Sequence, residues 1–156
     1  MLNINHESGT AEVRSRSGPV AALTGRILLV DDNRDARIAT GLLLSSLGLQ
    51  VTTAENGPDA LQIAILADKV GYEFHLILMN IDMPAMDGLE ATVLFRYGEY
   101  DGQIIAVSKH FSDGLEKLCI DAGCDDVLLK PVDAPRLREV LERHLGAAAA
   151  YEAYAA

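Results

Sequence analysis

His75-Leu76-Ile77-Leu78-Met79-Asn80-Ile81-Asp82-Met83-Pro84-Ala85-Met86-Asp87-Gly88 is the stretch on which the reading of this chain turns. An apolar run, Leu76 to Met79, stops abruptly at polar residues, and Met83-Pro84 and Asp87-Gly88 then punctuate a loop. A strand covered on both faces looks like this: continuously apolar, without the alternation of a half-exposed strand, and bounded by turn residues. Open α/β sheets place their chemistry just past the carboxyl ends of such strands. The residue at that point is Asn80, an amide.

Outward from this strand the same grammar repeats. Toward the N-terminus, Ile27-Leu28-Leu29-Val30 is a second apolar strand and ends in Asp31-Asp32-Asn33. A helix follows, with Ala36, Ala39, Leu42, Leu43 and Leu47 read as its inner face and Gly48 as its stop. Leu49 to Ala54 is β-rich, and Asn56-Gly57-Pro58 opens a helix with proline in its tolerated first turn and Leu61, Ala64 and Ile65 inward. Toward the C-terminus, Gly88 to about Tyr97 is helical, with Leu89, Thr92, Val93 and Arg96 at helical spacing. Gln103 to Val107 is a buried strand ending in Ser108-Lys109-His110. Ser112 or Asp113 caps the fourth helix, Asp113 with Glu116 fits a capping box, and Leu115, Leu118, Cys119 and Ala122 form the apolar face before Gly123. Asp126 to Leu129 is the fifth strand, closed by Lys130-Pro131. Asp133 caps a last helix, with Leu137, Val140, Leu141 and Leu145 inward and Gly146 as its stop. Strands alternating with helices imply a parallel sheet with helices on both faces. No G-x-G-x-x-G follows a strand and no P-loop lysine motif occurs, so nucleotide binding has no direct support.

Three segments result: a polar arm, 1–25, read as flexible; a folded unit, 26–146; and an Ala-rich tail, 147–156, that continues the last helix weakly or frays. The 156 residues suit one domain with a proper core. No apolar run is long enough to span a bilayer, and the N-terminus lacks a signal-peptide profile, so the reading is a soluble cytoplasmic protein without membrane contact. A net charge of −10 argues against nucleic-acid binding. Cys119 and Cys124 match no zinc or redox spacing and read as reduced, buried thiols. His75 reads as a loop end, His144 as a cation in the last turn of a helix, and His110 as the histidine nearest the strand-end site, without a role there.

In a parallel sheet all carboxyl ends share one edge. That edge collects Asp31 and Asp32, Asn80, Ser108 and Lys130. Adjacent carboxylates suit Mg²⁺, which takes hard oxygen ligands, while a hydroxyl and an ammonium suit phosphoryl oxygens. Such a set favours phosphoryl transfer by positioning and charge neutralisation.

At this point the chain resembles a receiver domain of two-component response regulators, of the CheY-like superfamily and nearest those of hybrid histidine kinases. The resemblance runs from about Arg26 to Gly146. It rests on Leu29-Val30-Asp31-Asp32-Asn33, Leu78 to Gly88, Ile104 to Ser108, and Gly123-x-Asp125-Asp126-x-Leu128-x-Lys130-Pro131. It implies a flavodoxin-like (βα)5 fold with strand order 2-1-3-4-5. It further implies that Asp32 ligates Mg²⁺ directly, Asp31 through water, and Asp82 through its backbone carbonyl. Ser108 would bond a phosphoryl oxygen and report occupancy, Lys130 would pair with the phosphoryl group, and the bond to Pro131 would be cis. The implied partners are a histidine kinase or a phosphotransfer protein. A homodimer would use the face of the fourth helix, fifth strand and last helix, with Lys117, Arg136, Arg138 and Arg143 available there.

Two residues depart from the pattern. Asn80 stands where the family carries its phosphoacceptor aspartate, and Val127 where it carries an aromatic switch residue. An amide oxygen is a poor nucleophile, and the lost charge weakens Mg²⁺. The expectation is therefore a single-domain receiver that is not an enzyme, a pseudo-receiver acting through protein–protein contacts. Alternatives are an active phosphotransfer acceptor whose aspartate has been replaced by Asn80, with Asp82 as a weaker substitute acceptor, and a small Mg²⁺-dependent phosphohydrolase using Asp31 and Asp32.

Overall fold

The computed structural model describes residues 22–84 and 87–155, with side chains through Gly146. Its elements run β1 (Arg26–Val30), α1 (Arg34–Ser46), β2 (Gln50–Ala54), α2 (Gly57–Lys69), β3 (Leu76–Asn80), α3 (Gly88–Tyr97), β4 (Gln103–Ser108), α4 (Asp113–Ala122), β5 (Asp126–Leu129) and α5 (Ala134–Ala155). All pairings are parallel, in the order β2-β1-β3-β4-β5. The flavodoxin-like architecture implied by the sequence is the one observed.

The sheet separates two cores, and strand alternation sorts residues between them. Leu28, Val30, Ile77, Met79, Ile104 and Ala106 face α2, α3 and α4 through a cluster that includes Ala60, Phe95 and Cys119. Ile27, Leu29, Leu76, Leu78, Ile105 and Val107 face the other way, onto Leu44 of α1 and Leu137 and Leu141 of α5. The two faces of β3 are both dry, which explains its unbroken apolar run. Burying a side chain such as Ile77 or Leu78 contributes about 2 kcal/mol.

Helix starts follow the capping residues. Asn33, Asn56, Asp87, Ser112 and Asp133 each accept a backbone N–H from the first turn with a side-chain oxygen. A cap of this kind contributes about 1 kcal/mol. At α4 the acceptor is Ser112, bonded to Leu115 N, so the expected Asp113–Glu116 box is not the cap. Gly123 ends α4 in the left-handed region at φ 114°, as expected, and a Cβ there would meet the Arg96 side chain.

Several expected helix faces are rotated. Leu42, Ile65 and Val93 are exposed, and each sits two residues before the side chain that is buried: Leu44, Ala67 and Phe95. Two residues turn a helix by about 200°, so these apolar side chains lie opposite the core contact. Ala39 and Leu118 are also exposed. Gly146 does not stop α5; the backbone stays helical to Ala155. One glycine costs a helix only about 1 kcal/mol, and the alanines beyond it are the best helix formers. Most of the expected N-terminal arm lies outside the described residues. Within its last residues, Leu23 N donates to Leu47 O at 2.8 Å, tying the chain to the end of α1.

Candidate functional site

The register places the site. Val30 lies beside Met79, Asn80 beside Val107, and Ser108 beside Leu129. The ends of β1, β3, β4 and β5 are therefore level, at the point where the strand order reverses between β1 and β3. Asp31, Asp32, Asn80, Asp82, Ser108 and Lys130 converge there. The Lys130–Pro131 bond is cis.

Asn80 is at the centre, with 3% of its surface exposed. Its Nδ2 donates to Asp31 Oδ1 at 3.1 Å and to Asp32 Oδ1 at 3.0 Å. Its Oδ1 accepts from Asp82 N at 3.0 Å. The reverse amide orientation would set an oxygen against two carboxylates and an NH₂ against an N–H, so the neighbours fix the one described. Each amide hydrogen thus answers one carboxylate. Gly88 allows the strand end to sit so close to α3: a Cβ there would collide with the Asn80 carbonyl oxygen and with Ile81 Cα.

Asp31 is buried and fully engaged. Its Oδ1 also accepts from Asn33 N at 2.9 Å, and its Oδ2 pairs with Lys130 Nζ at 3.1 Å. Arg37 of α1 donates to the Asp31 carbonyl at 2.8 Å and to Glu55 at 3.2 Å. Asp32 is exposed apart from its Asn80 contact.

On the other flank Ser108 is wholly buried. Its Oγ–H donates to the Asp82 carboxylate, 3.3 Å from Oδ2 and 3.4 Å from Oδ1, while its Oγ accepts from His110 N at 3.1 Å. Lys109 N donates to the same Asp82 Oδ2 at 2.9 Å. Lys109 and Lys130 also line a recess of about 440 Å³ together with Ala36, Ala39, Thr40, Leu43, Pro131 and Val132.

The other singled-out residues lie elsewhere. Val127 pairs with Ala106 in β5 and packs, half-buried, on the α2–α4 side. His75 sits at the opposite edge of the sheet, where its Nδ1 accepts from Arg26 N. His144 is there too, and it is not in the last turn of a helix, because α5 continues well beyond it. Its ring bridges Gln103 Oε1 at 2.8 Å and Asp126 Oδ2 at 2.9 Å. Partial burial alone would raise the Asp126 carboxyl, but hydrogen bonds from His144 and Val127 N, with the charges of His144 and Arg143, outweigh it and lower its pKa. Cys119 and Cys124 are free and buried, and burial pushes the Cys124 thiol up to about 12. On the α4–β5–α5 face, Arg138 pairs with Glu142, and Arg143 with Asp126 and Glu139.

Sequence reasoning took Asp82 as a metal ligand through its carbonyl and as a substitute acceptor, and missed its carboxylate as the partner of Ser108 and Lys109 N. It also missed the Lys109 amide and Arg37.

The donor chemistry of Asp31 and Asp32 suits Mg²⁺, yet an NH₂ group lies between the two carboxylates and a lysine holds the remaining Asp31 oxygen. Among the described residues no group of three or more His, Cys, Asp or Glu side chains is arranged to hold a metal. As arranged, the side chains do not fit the ion. None of the described helices is long and apolar enough to cross a membrane.

Fold and site define a flavodoxin-like α/β module with an acidic, lysine-bearing pocket at the carboxyl edge of its sheet. Within that class, the chain belongs to the response regulator receiver domain family, which it matches over residues 27–142. It is 35% identical over 111 residues to the CAI-1 autoinducer sensor kinase/phosphatase CqsS of Vibrio cholerae, covering 69% of this chain and 16% of that protein. It is 32% identical over 143 residues to the sensor histidine kinase GacS of Pseudomonas protegens, covering 86% of this chain and 15% of that one. The chain thus spans under a fifth of either relative's length. Among solved structures, the Vibrio cholerae chemotaxis protein CheY4 superposes with a TM-score of 0.72 at 26% identity, covering 78% of this chain and 99% of that one. A complex of the Saccharomyces cerevisiae phosphotransfer protein Ypd1 with the receiver domain of Ssk1 matches with a TM-score of 0.71 at 25% identity, covering 80% and 91%.

Proposed function

We propose that this chain is a receiver module of two-component or phosphorelay signalling that acts by binding partner proteins and does not accept a phosphoryl group. One observation carries the reading: the Asn80 amide lies between Asp31 and Asp32 and donates one hydrogen to each. A carboxylate here would offer a charged oxygen to phosphorus. The amide offers a neutral oxygen that is already bonded to Asp82 N. Its NH₂ stands in for a cation between the two carboxylates, which removes the demand for Mg²⁺. Asp31 keeps Lys130, so the ammonium has no vacant charge to await. Val127 supplies no aromatic ring to couple Ser108 to the partner face.

The proposed partner is a histidine kinase or a phosphotransfer protein. The recess beside the site supports this, because its lining is mostly apolar and includes Lys109 and Lys130. An apolar lining suits the exposed face of a partner helix, and the lysines suit an acidic flank. A second copy of the chain on the α4–β5–α5 face is the other proposed partner.

A second reading has its own support. Asp31, Asp32, Ser108 and Lys130 gather around Asn80, which supports the reading that an aspartate at position 80 would accept a phosphoryl group. One experiment separates the two. The chain and its Asn80→Asp variant are incubated with a small phosphodonor and Mg²⁺, and their intact masses are compared. The variant gains one hydroxylamine-labile phosphoryl group and the chain gains none. A labile adduct on the unaltered chain overturns the proposal.

A further inference from the structure

We propose that Asp82 is a built-in ligand of this site: its carboxylate fills an anion cradle made by the Ser108 hydroxyl and the Lys109 amide, and so holds the loop between β4 and α4 engaged without a phosphoryl group. The inference rests on the reading of the site given above and names its regulation.

Two donors meet the Asp82 carboxylate. Asp82 Oδ2 lies 2.9 Å from Lys109 N and 3.3 Å from Ser108 Oγ. The Lys109 N–H makes the short bond to the charged oxygen, of a kind about twice as strong as a neutral one, and the Ser108 hydroxyl adds a longer contact shared with Oδ1 at 3.4 Å. The hydroxyl hydrogen is free to point at the carboxylate. Ser108 Oγ accepts from His110 N at 3.1 Å, which leaves its own hydrogen for Asp82. Ser108 is fully buried, so its hydroxyl has no exposed surface on which to meet bulk water. Asp82 itself is exposed, and it reaches in from the solvent side.

Asn80 aims this carboxylate. Its Oδ1 holds Asp82 N at 3.0 Å. Because position 80 is neutral, Asp82 approaches a pocket with one fewer negative charge than an aspartate there would give. Lys130 does not compete for Asp82, because its ammonium is paired with Asp31. The consequence reaches the partner face. The loop held by Asp82 runs from Lys109 to Ser112, and Ser112 caps α4. The start of α4 is thereby set by a residue of the chain itself, not by phosphodonor supply.

Hydrogen exchange tests this on the full chain. The unaltered chain is compared with Asp82→Ala and Asp82→Asn, each with and without inorganic phosphate and with no phosphodonor present. Amides of β1 and β3 report that the fold is intact. The Lys109 amide exchanges at least about tenfold faster in Asp82→Ala than in the unaltered chain, as loss of a charge-assisted bond requires. Asp82→Asn, which keeps a neutral acceptor, falls between. Phosphate slows Lys109 exchange in Asp82→Ala and leaves the unaltered chain as it was. An unchanged Lys109 rate in Asp82→Ala overturns the proposal. So does a phosphate response of equal size in both chains, or no phosphate response in the variant. The reading of position 80 fails separately, by phosphodonor labelling of the unaltered chain.

Discussion

Replacing Lys130 with methionine removes the cation from a nearly buried pair. The side chains of Lys130 and Asp31 are 14% and 5% exposed, and Nζ and Oδ2 are 3.1 Å apart. Methionine keeps the length and volume of the stem, so packing changes little. Asp31 then holds a buried charge with two N–H donors, from Asn33 and Asn80, and no counter-ion. Breaking one side of a buried pair costs about 3–5 kcal/mol, because the remaining charge stays desolvated. At about 3 °C per kcal/mol for a chain of this size, the loss is roughly 10 °C in Tm. Removing both charges is a different matter. Asp31→Asn with Lys130→Met leaves a neutral pocket, and the double variant is expected within about 1 kcal/mol of the unaltered chain. The assay is urea unfolding of all four members of the cycle at neutral pH, without divalent cations. A Lys130→Met loss below about 1 kcal/mol would refute the argument that this pair is formed and shielded from water.

Three further outcomes follow from other parts of the molecule. Asp126 has a lowered pKa in the folded chain, so its contribution is present above the ordinary carboxylate value of about 4 and fades as pH falls through its lower folded value. Stability against pH should therefore show Asp126→Asn less stable than the unaltered chain near pH 5, with the gap closing below about pH 3; a gap that widens on acidification has the wrong sign. Burial pushes the Cys124 thiol up to about 12 and raises that of Cys119, so neither reacts with iodoacetamide at pH 8 until denaturant is added, as a mass spectrum would read. Gly88→Ala forces a Cβ against the Asn80 carbonyl and should cost about 2 kcal/mol in urea unfolding; a loss under about 0.5 kcal/mol would mean that α3 shifts freely away from β3.

The strands were legible because β1, β3 and β4 are buried on both faces, and that condition writes a continuous apolar run. Helix starts were legible because Asn33, Asn56, Asp87 and Asp133 are side chains whose chemistry has one local use at a helix N-terminus. Helix faces were less so. Leu42, Ile65 and Val93 are apolar yet exposed, and pattern alone cannot rank them against Leu44, Ala67 and Phe95, which pack two residues further on. Ala60 and Ala67 carry little side chain to signal burial, but they are what allows α2 to approach the sheet. Gly146 misled because a stop signal acts only where the following residues favour leaving the helix. The site divides similarly. Which residues gather was readable from strand ends in a parallel sheet. Which atoms bond was not, because that depends on rotamers: Asp82 turns its carboxylate to Ser108 and Lys109, and nothing in the spacing of these residues encodes that turn.

The side-chain amide of Asn80 offers the most direct measurement. In ¹H–¹⁵N NMR of the unaltered chain its Nδ2 hydrogens should give two well-separated resonances, each held by a carboxylate. Addition of millimolar MgCl₂ should leave both in place. If both move together in a saturable titration, the amide does not close the acidic pair, Asp31 and Asp32 remain open to the ion, and the account of this pocket is contradicted.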